Sequence, residues 1–157
     1  MPVRQAPPMV VSRTFALDVL ASGTAAAILG GIPSTVYALA TGGDPLEATR
    51  AAGAMLVDPA SEDAVLIAAA AVAHLGVNFS WAALLVWLLP RRHVLAWALL
   101  AAVAIAVLDL CVIAPLFFPE VHALAFGPQL ADHLAWGASL GGVLAWRRRR
   151  RKDQPAA

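Results

Sequence analysis

Residues 94–118 read VLAWALLAAVAIAVLDLCVIAPLFF, with Asp109 as the single charged side chain. A helix over this stretch rises about 37 Å at about 1.5 Å per residue, more than the ~30 Å hydrocarbon core of a bilayer. No ordinary soluble helix is apolar on every face. The stretch therefore reads as a membrane span, and its neighbours repeat the pattern.

Upstream, Pro90-Arg91-Arg92 separates it from an apolar run over residues 64–89, and Asp58-Pro59-Ala60-Ser61 precedes that run. Ser61 is an N-cap candidate, with Glu62 and Asp63 suited to a helix N-terminus. Downstream, Phe118-Pro119-Glu120 leads almost directly into a fourth run, residues 121–146. The first run covers residues 15–40 and ends at Thr41-Gly42-Gly43-Asp44-Pro45. The sequence thus predicts an all-α fold: a four-helix transmembrane bundle spanning residues 15–146. Residues 1–14 form a short leading segment, 41–63 a loop, and 147–157 a polybasic tail. Composition agrees, since 61% of the 157 residues are hydrophobic and 13% charged, against about 25% charged in soluble domains.

Charge placement predicts orientation. Arg4 and Arg13 precede the first run, Arg91 and Arg92 separate the second and third, and Arg147, Arg148, Arg149, Arg150, Arg151 and Lys152 follow the fourth. With four spans, these share one side. Arg50 lies on the other side with Asp44, Glu47, Asp58, Glu62, Asp63 and Glu120. The positive-inside rule makes the arginine side cytoplasmic, so both termini are expected in the cytoplasm of a bacterial inner membrane. A cleaved signal peptide fits the first run poorly, because the run is too long and Asp18 interrupts it. The basic tail reads as a topology anchor drawn to anionic lipid headgroups, not as a nucleic-acid site.

Local features refine the picture. Pro33, within Gly31-Ile32-Pro33-Ser34-Thr35, is expected to kink or interrupt the first helix, near Tyr37. Leu46, Gly53, Leu56 and Val57 recur near helical spacing, consistent with a short amphipathic segment on the outer surface or with a plain connecting loop. Gly137 and Gly141 form a GxxxG pair that suits packing inside the bundle better than a dimer seam. Trp87 and Trp146 fit interfacial anchors best among Trp81, Trp87, Trp97, Trp136 and Trp146. Cys111 stands alone, which rules out an internal disulfide and a CxxC redox pair, and it reads as a buried apolar residue.

Ionisable groups inside spans are costly and tend to mark sites. Asp18 lies near the cytoplasmic end and is expected to reach water. His74 is expected ~18 Å from the outer end, Asp132 and His133 ~17 Å, and Asp109 ~13 Å. His74 and Asn78 share a face, as do Gln129 and His133. These six residues are the candidate polar cluster. Three uses are open: relay of protons or a cation, a divalent metal held by His74, His133 and Asp132, or haem b between His74 and His133. A purely structural role, in which the groups hydrogen-bond and fix helix register, also fits. A further alternative is an assembly subunit that binds a second copy or another membrane protein through its small-residue faces. No nucleophile–base pair points to an enzyme.

Several of these residues carry a resemblance: Ala73-His74 with Ser80, Leu89-Pro90, Pro115 with Phe118-Pro119, and Ala131-Asp132-His133-Leu134-Ala135-Trp136 followed by the basic stop. Over about residues 73–150 the chain resembles the YagU-like family of small uncharacterised bacterial inner-membrane proteins. The resemblance implies an inner-membrane location and gives prominence to His74 and His133, but supplies no reaction.

Overall fold

The computed structural model describes residues 12–153, so Arg4 and residues 154–157 of the tail lie outside the described part. The described chain is helical, with no strand. The helices are α1 (Arg13–Leu29), α2 (Ile32–Thr41), α3 (Glu47–Gly53), α4 (Asp63–Leu88), α5 (Val94–Leu108), a π turn (Asp109–Ile113), α6 (Ala114–Phe117), α7 (Pro119–His122) and α8 (Phe126–Lys152). Three stretches among the described residues are long and apolar enough to cross a membrane: Arg13–Thr41, Asp63–Leu88 and Val94–Phe117. They mark a membrane protein. Exposure supports this, because Ile28, Leu39, Val72, Trp87, Leu116 and Phe117 are each at least 64% exposed. In water each would forgo about 1.5–3 kcal/mol of burial; in lipid that penalty disappears.

The first apolar run is two helices. The break is at Gly30-Gly31, upstream of the expected Pro33 kink. Pro33 sits in the first turn of α2, where its missing N–H and fixed φ cost nothing, and its ring excludes the carbonyl four residues back, that of Leu29 at the end of α1, so the run is interrupted as expected. Gly30 is needed at the break, since a Cβ there would lie 3.1 Å from Trp136 Cβ and 2.8 Å from Ala26 O. The N-cap of α4 is Glu62, without a side-chain cap bond, where Ser61 had been the candidate. Helix α8 begins at Phe126, because residues 119–122 form the separate turn α7. At its other end α8 continues to Lys152, so the arginines expected in a tail are helical.

A helix, α3, is present in the loop between the first two apolar runs, and it packs on α4. Ala51 and Gly53 are buried, and a Cβ on Gly53 would collide with the Leu66 backbone. Arg50, in the same helix, pairs with Asp44 and, at 3.4 Å, with Asp63.

Helix α8 is the hub of the fold. It packs against α5 on one side and against α1 and α2 on the other, and α1 packs in turn on α4. From residue 128 to 145 only Ala138 of α8 is exposed. The GxxxG pair works internally as expected. A Cβ on Gly137 would overlap Ala102, and one on Gly141 would lie 2.6 Å from Ala98 Cβ, so both glycines let α8 approach α5. Leu140 and Leu144, one turn apart and fully buried, join Ala26, Ala82, Leu85 and Val86 in the core. Trp81 and Trp136 pack against this core, while Trp87, Trp97 and Trp146 are exposed. Cys111 is exposed, contrary to the expected buried position, because the π turn presents it outward.

Candidate functional site

The polar residues of α8 face four different neighbours. Near its start, His133 and Asp132 meet different neighbours. His133 Nδ1 lies 2.8 Å from the carbonyl oxygen of Gln129, one turn back on the same helix, and Nε2 lies 3.3 Å from Asp109 Oδ2. A carbonyl only accepts, so Nδ1 carries a proton and donates it to Gln129 O. Nε2 and the Asp109 carboxylate then face each other as two acceptors unless one further proton sits between them. The pair therefore sets an imidazole nitrogen against a carboxylate oxygen, two groups that can share a proton.

Asp109 reaches this position from the π turn. Its carbonyl accepts from the N–H of Ala114, five residues on. Pro115 explains the turn, since its ring displaces the carbonyl four residues back, that of Cys111, in the middle of the π segment. The side chains of His133 and Asp109 are 21% and 29% exposed, so the pair is neither sealed nor in open solvent.

Asp132 takes a different partner. Its Oδ1 accepts from the backbone N–H of Ser34 at 2.9 Å. Ser34 lies in the first turn of α2, where N–H groups lack intrahelical acceptors and the helix dipole is positive. The break at Gly30-Gly31 thus creates a helix N-terminus inside the bundle, and a carboxylate from α8 caps it. Asp132 also lies within Coulombic range of both His133 and His74.

His74 and Asn78 hold α1 instead. His74 Nε2 is 3.1 Å from Ala27 O, with the residue exposed. The Asn78 Nδ2 amide donates to Gly23 O at 3.1 Å, and Asn78 Oδ1 accepts from Trp136 Nε1 at 2.8 Å. Asn78 is 3% exposed, and this pairing satisfies both ends of its amide. Gln129 contributes its backbone carbonyl.

The six expected residues are therefore brought to one region but divided by partner. His133 and Asp109 pair directly, Asp132 joins them through space, and His74 and Asn78 are committed to α1. Among the described residues no group of three His, Cys, Asp or Glu side chains is arranged to hold a metal ion. The expected ligand set of His74, His133 and Asp132 is not assembled. The haem alternative meets a similar obstacle, because His74 Nε2 and both nitrogens of His133 already have polar partners. Asp132 and His133 are also shallower than expected: with α8 beginning at Phe126, they lie only ~9–11 Å into it.

The other end of the bundle holds a second polar constellation. Asp18 is 4% exposed, so the expectation that it reaches water is wrong. Arg147 Nε and Arg151 Nη1 both donate to its Oδ1 at 2.7 Å, and Arg151 Nη2 donates to Oδ2 at 2.7 Å. Arg148, on another side of α8, donates to Val86 O at 2.9 Å, Leu89 O at 3.1 Å and Pro90 O at 3.3 Å, and so caps the C-terminus of α4. Burial pulls the Arg148 guanidinium below its ordinary pKa, and the hydrogen bonds to Asp18 push Arg151 above it. Arg150 stacks on Trp146 at 4.5 Å. The signal for the clamp was present in the sequence: Arg147 and Arg151 are four apart and share a face if α8 continues.

Compared with known proteins, the chain finds no match among family models, curated proteins or solved structures.

Proposed function

We propose that the chain is a four-span membrane protein that binds and relays protons through the His133–Asp109 pair, with Asp132 as the adjacent carboxylate. The observation that carries this is the fixed direction of the Nδ1 bond to Gln129 O, which leaves one proton to be shared between Nε2 and Asp109. Two irregular elements support it. A π turn positions Asp109, and a broken helix turns its N-terminus toward Asp132; such interruptions recur where membrane proteins handle ions. In this reading α8 is the fourth span. At ~40 Å it is long enough, and its mid-length polar groups, Asp132, His133 and Trp136, meet neighbouring helices. The arginine end lies in the cytoplasm of a bacterial inner membrane, with both termini there. The resemblance of residues 73–150 to the YagU-like family is part of the same proposal.

The test is proton flux across liposomes containing purified protein, read with an entrapped pH dye. Wild type should collapse an imposed pH gradient faster than empty vesicles. Asp109→Asn and His133→Gln should return the rate to that of empty vesicles, and Asp132→Asn should slow it, while all three remain helical. A wild-type rate equal to that of empty vesicles refutes the reading.

A second reading, an assembly subunit, rests on Gly76 of α4 and Gly142 of α8, where a Cβ would meet nothing within 4 Å. These leave small-residue notches on the outside after Gly137 and Gly141 are used within. A stoichiometric membrane-protein partner on co-purification, together with absent flux, would favour it.

A further inference from the structure

The Asp18 clamp forms one wall of a cavity of about 1080 Å³ at the arginine end of the molecule. The start of α1, the 89–93 connection with the first turn of α5, and the last turns of α8 enclose it. Six cations line it: Arg91, Arg92, Arg148, Arg149, Arg151 and Lys152. Asp18 is its single acidic lining residue, and that carboxylate is already occupied by Arg147 and Arg151. Among the described residues Arg91, Arg92, Arg149 and Lys152 form no ion pair.

The cavity has one more source of positive potential. Val94, Leu95 and Ala96 line it, and they form the first turn of α5, whose N–H groups have no intrahelical acceptor. His93, the N-cap, supplies no side-chain cap and holds a left-handed φ of 55°. Like charges gathered around one concave space repel one another, and a concave wall of one sign focuses the field that draws in an anion. Guanidinium groups also match phosphate oxygens in geometry as well as charge. A diffuse attraction of a basic tail to a membrane surface would need no cavity and no fixed arginines. Here α8 stays helical to Lys152, and the clamp and the α4 cap fix two of the arginines in place.

We infer that this cavity is a binding site for a phosphate-bearing anion, taken from either a phospholipid headgroup or a soluble phosphate. The experiment uses full-length protein in nanodiscs. One arm contains phosphatidylcholine with a minority of phosphatidylglycerol, and native mass spectrometry counts the anionic lipids retained. The other contains phosphatidylcholine alone, titrated calorimetrically with inorganic pyrophosphate. The Arg91→Gln, Arg92→Gln double variant removes two cations that make no hydrogen bond among the described residues, so the fold is spared. Saturable binding in either arm is expected, weakened roughly twenty-fold in the double variant and unchanged in Arg50→Gln, whose cation is on the other side. Binding in the first arm alone identifies the headgroup as the ligand, and binding in the second alone a soluble phosphate. Absence of saturable binding in both arms, or equal binding by wild type and double variant, overturns the inference.

Discussion

Replacing Asp18 with asparagine tests the strongest polar tie in the fold. The carboxylate is 4% exposed and receives three guanidinium hydrogen bonds at 2.7 Å. Bonds to charged groups contribute about 1.5–3 kcal/mol each. Breaking a buried ion pair costs about 3–5 kcal/mol, mainly because an uncompensated charge is left behind. Two features reduce that figure here. Asparagine keeps an acceptor oxygen where Arg147 Nε and Arg151 Nη1 converge, and the side chains of Arg147 and Arg151 are 24% and 35% exposed, so both can rehydrate. The net cost is about 2–3 kcal/mol, a fall in melting temperature of about 5–10 °C. Thermal unfolding in detergent, followed by tryptophan fluorescence, measures it. Arg151→Gln should cost less alone and little more in the Asp18→Asn background, giving a coupling energy of at least about 1 kcal/mol. An Asp18→Asn protein within about 0.5 kcal/mol of wild type, or strictly additive single variants, would refute the clamp.

Gly141→Ala should destabilise by about 1–3 kcal/mol, because the new Cβ would sit 2.6 Å from Ala98 Cβ. Ala98→Gly should recover part of that loss in the same unfolding assay, whereas a loss independent of residue 98 would show that the α5–α8 approach is not what the glycine serves. Trp136→Phe should cost about 1–3 kcal/mol by leaving buried Asn78 Oδ1 without its donor. The penalty should shrink when Asn78 is replaced by alanine, and an unchanged penalty would mean that only indole packing matters.

The apolar runs made the helices legible, since a period-free stretch such as residues 94–108 has no stable alternative in lipid. The errors fell where one residue type admits two local roles. Around Pro33 the interruption was legible, but its position was not, because the proline starts α2 and the break falls before it at Gly30-Gly31, with Gly30 against Trp136. The arginine run read as a tail because charge dominates its appearance, although arginine is also a good helix former and nothing between Trp146 and Lys152 stops a helix. Asp18 was expected to reach water from its place near the end of its span, but the helical continuation of α8 brings Arg147 and Arg151 over it. The π turn had a signal, Pro115, but one residue of register cannot be read from an apolar run with no periodicity.

The candidate site was legible in membership more than in pairing, and α8 shows why. Matching depth brings side chains to one layer, but pairing depends on helix azimuth. Asp132 and His133 are consecutive, so they project about 100° apart on α8. One therefore meets α2 while the other meets the π turn after α5. The same rotation carries Trp136 to α4 and Arg147 to α1. Every neighbour of α8 receives at least one polar group from it, which is why this helix is the least apolar of the long ones and is nonetheless among the most enclosed. A helix whose mid-length polar groups meet neighbouring helices is poorly judged for membrane insertion by its average hydropathy, because lipid sees only its outer face. Of the inward bonds, those to Asn78, Ser34 N and Asp18 have fixed donors and acceptors. The contact between His133 and Asp109 instead joins two titratable side chains at 3.3 Å, and the proposed proton relay rests on that difference from ties that only hold the bundle together.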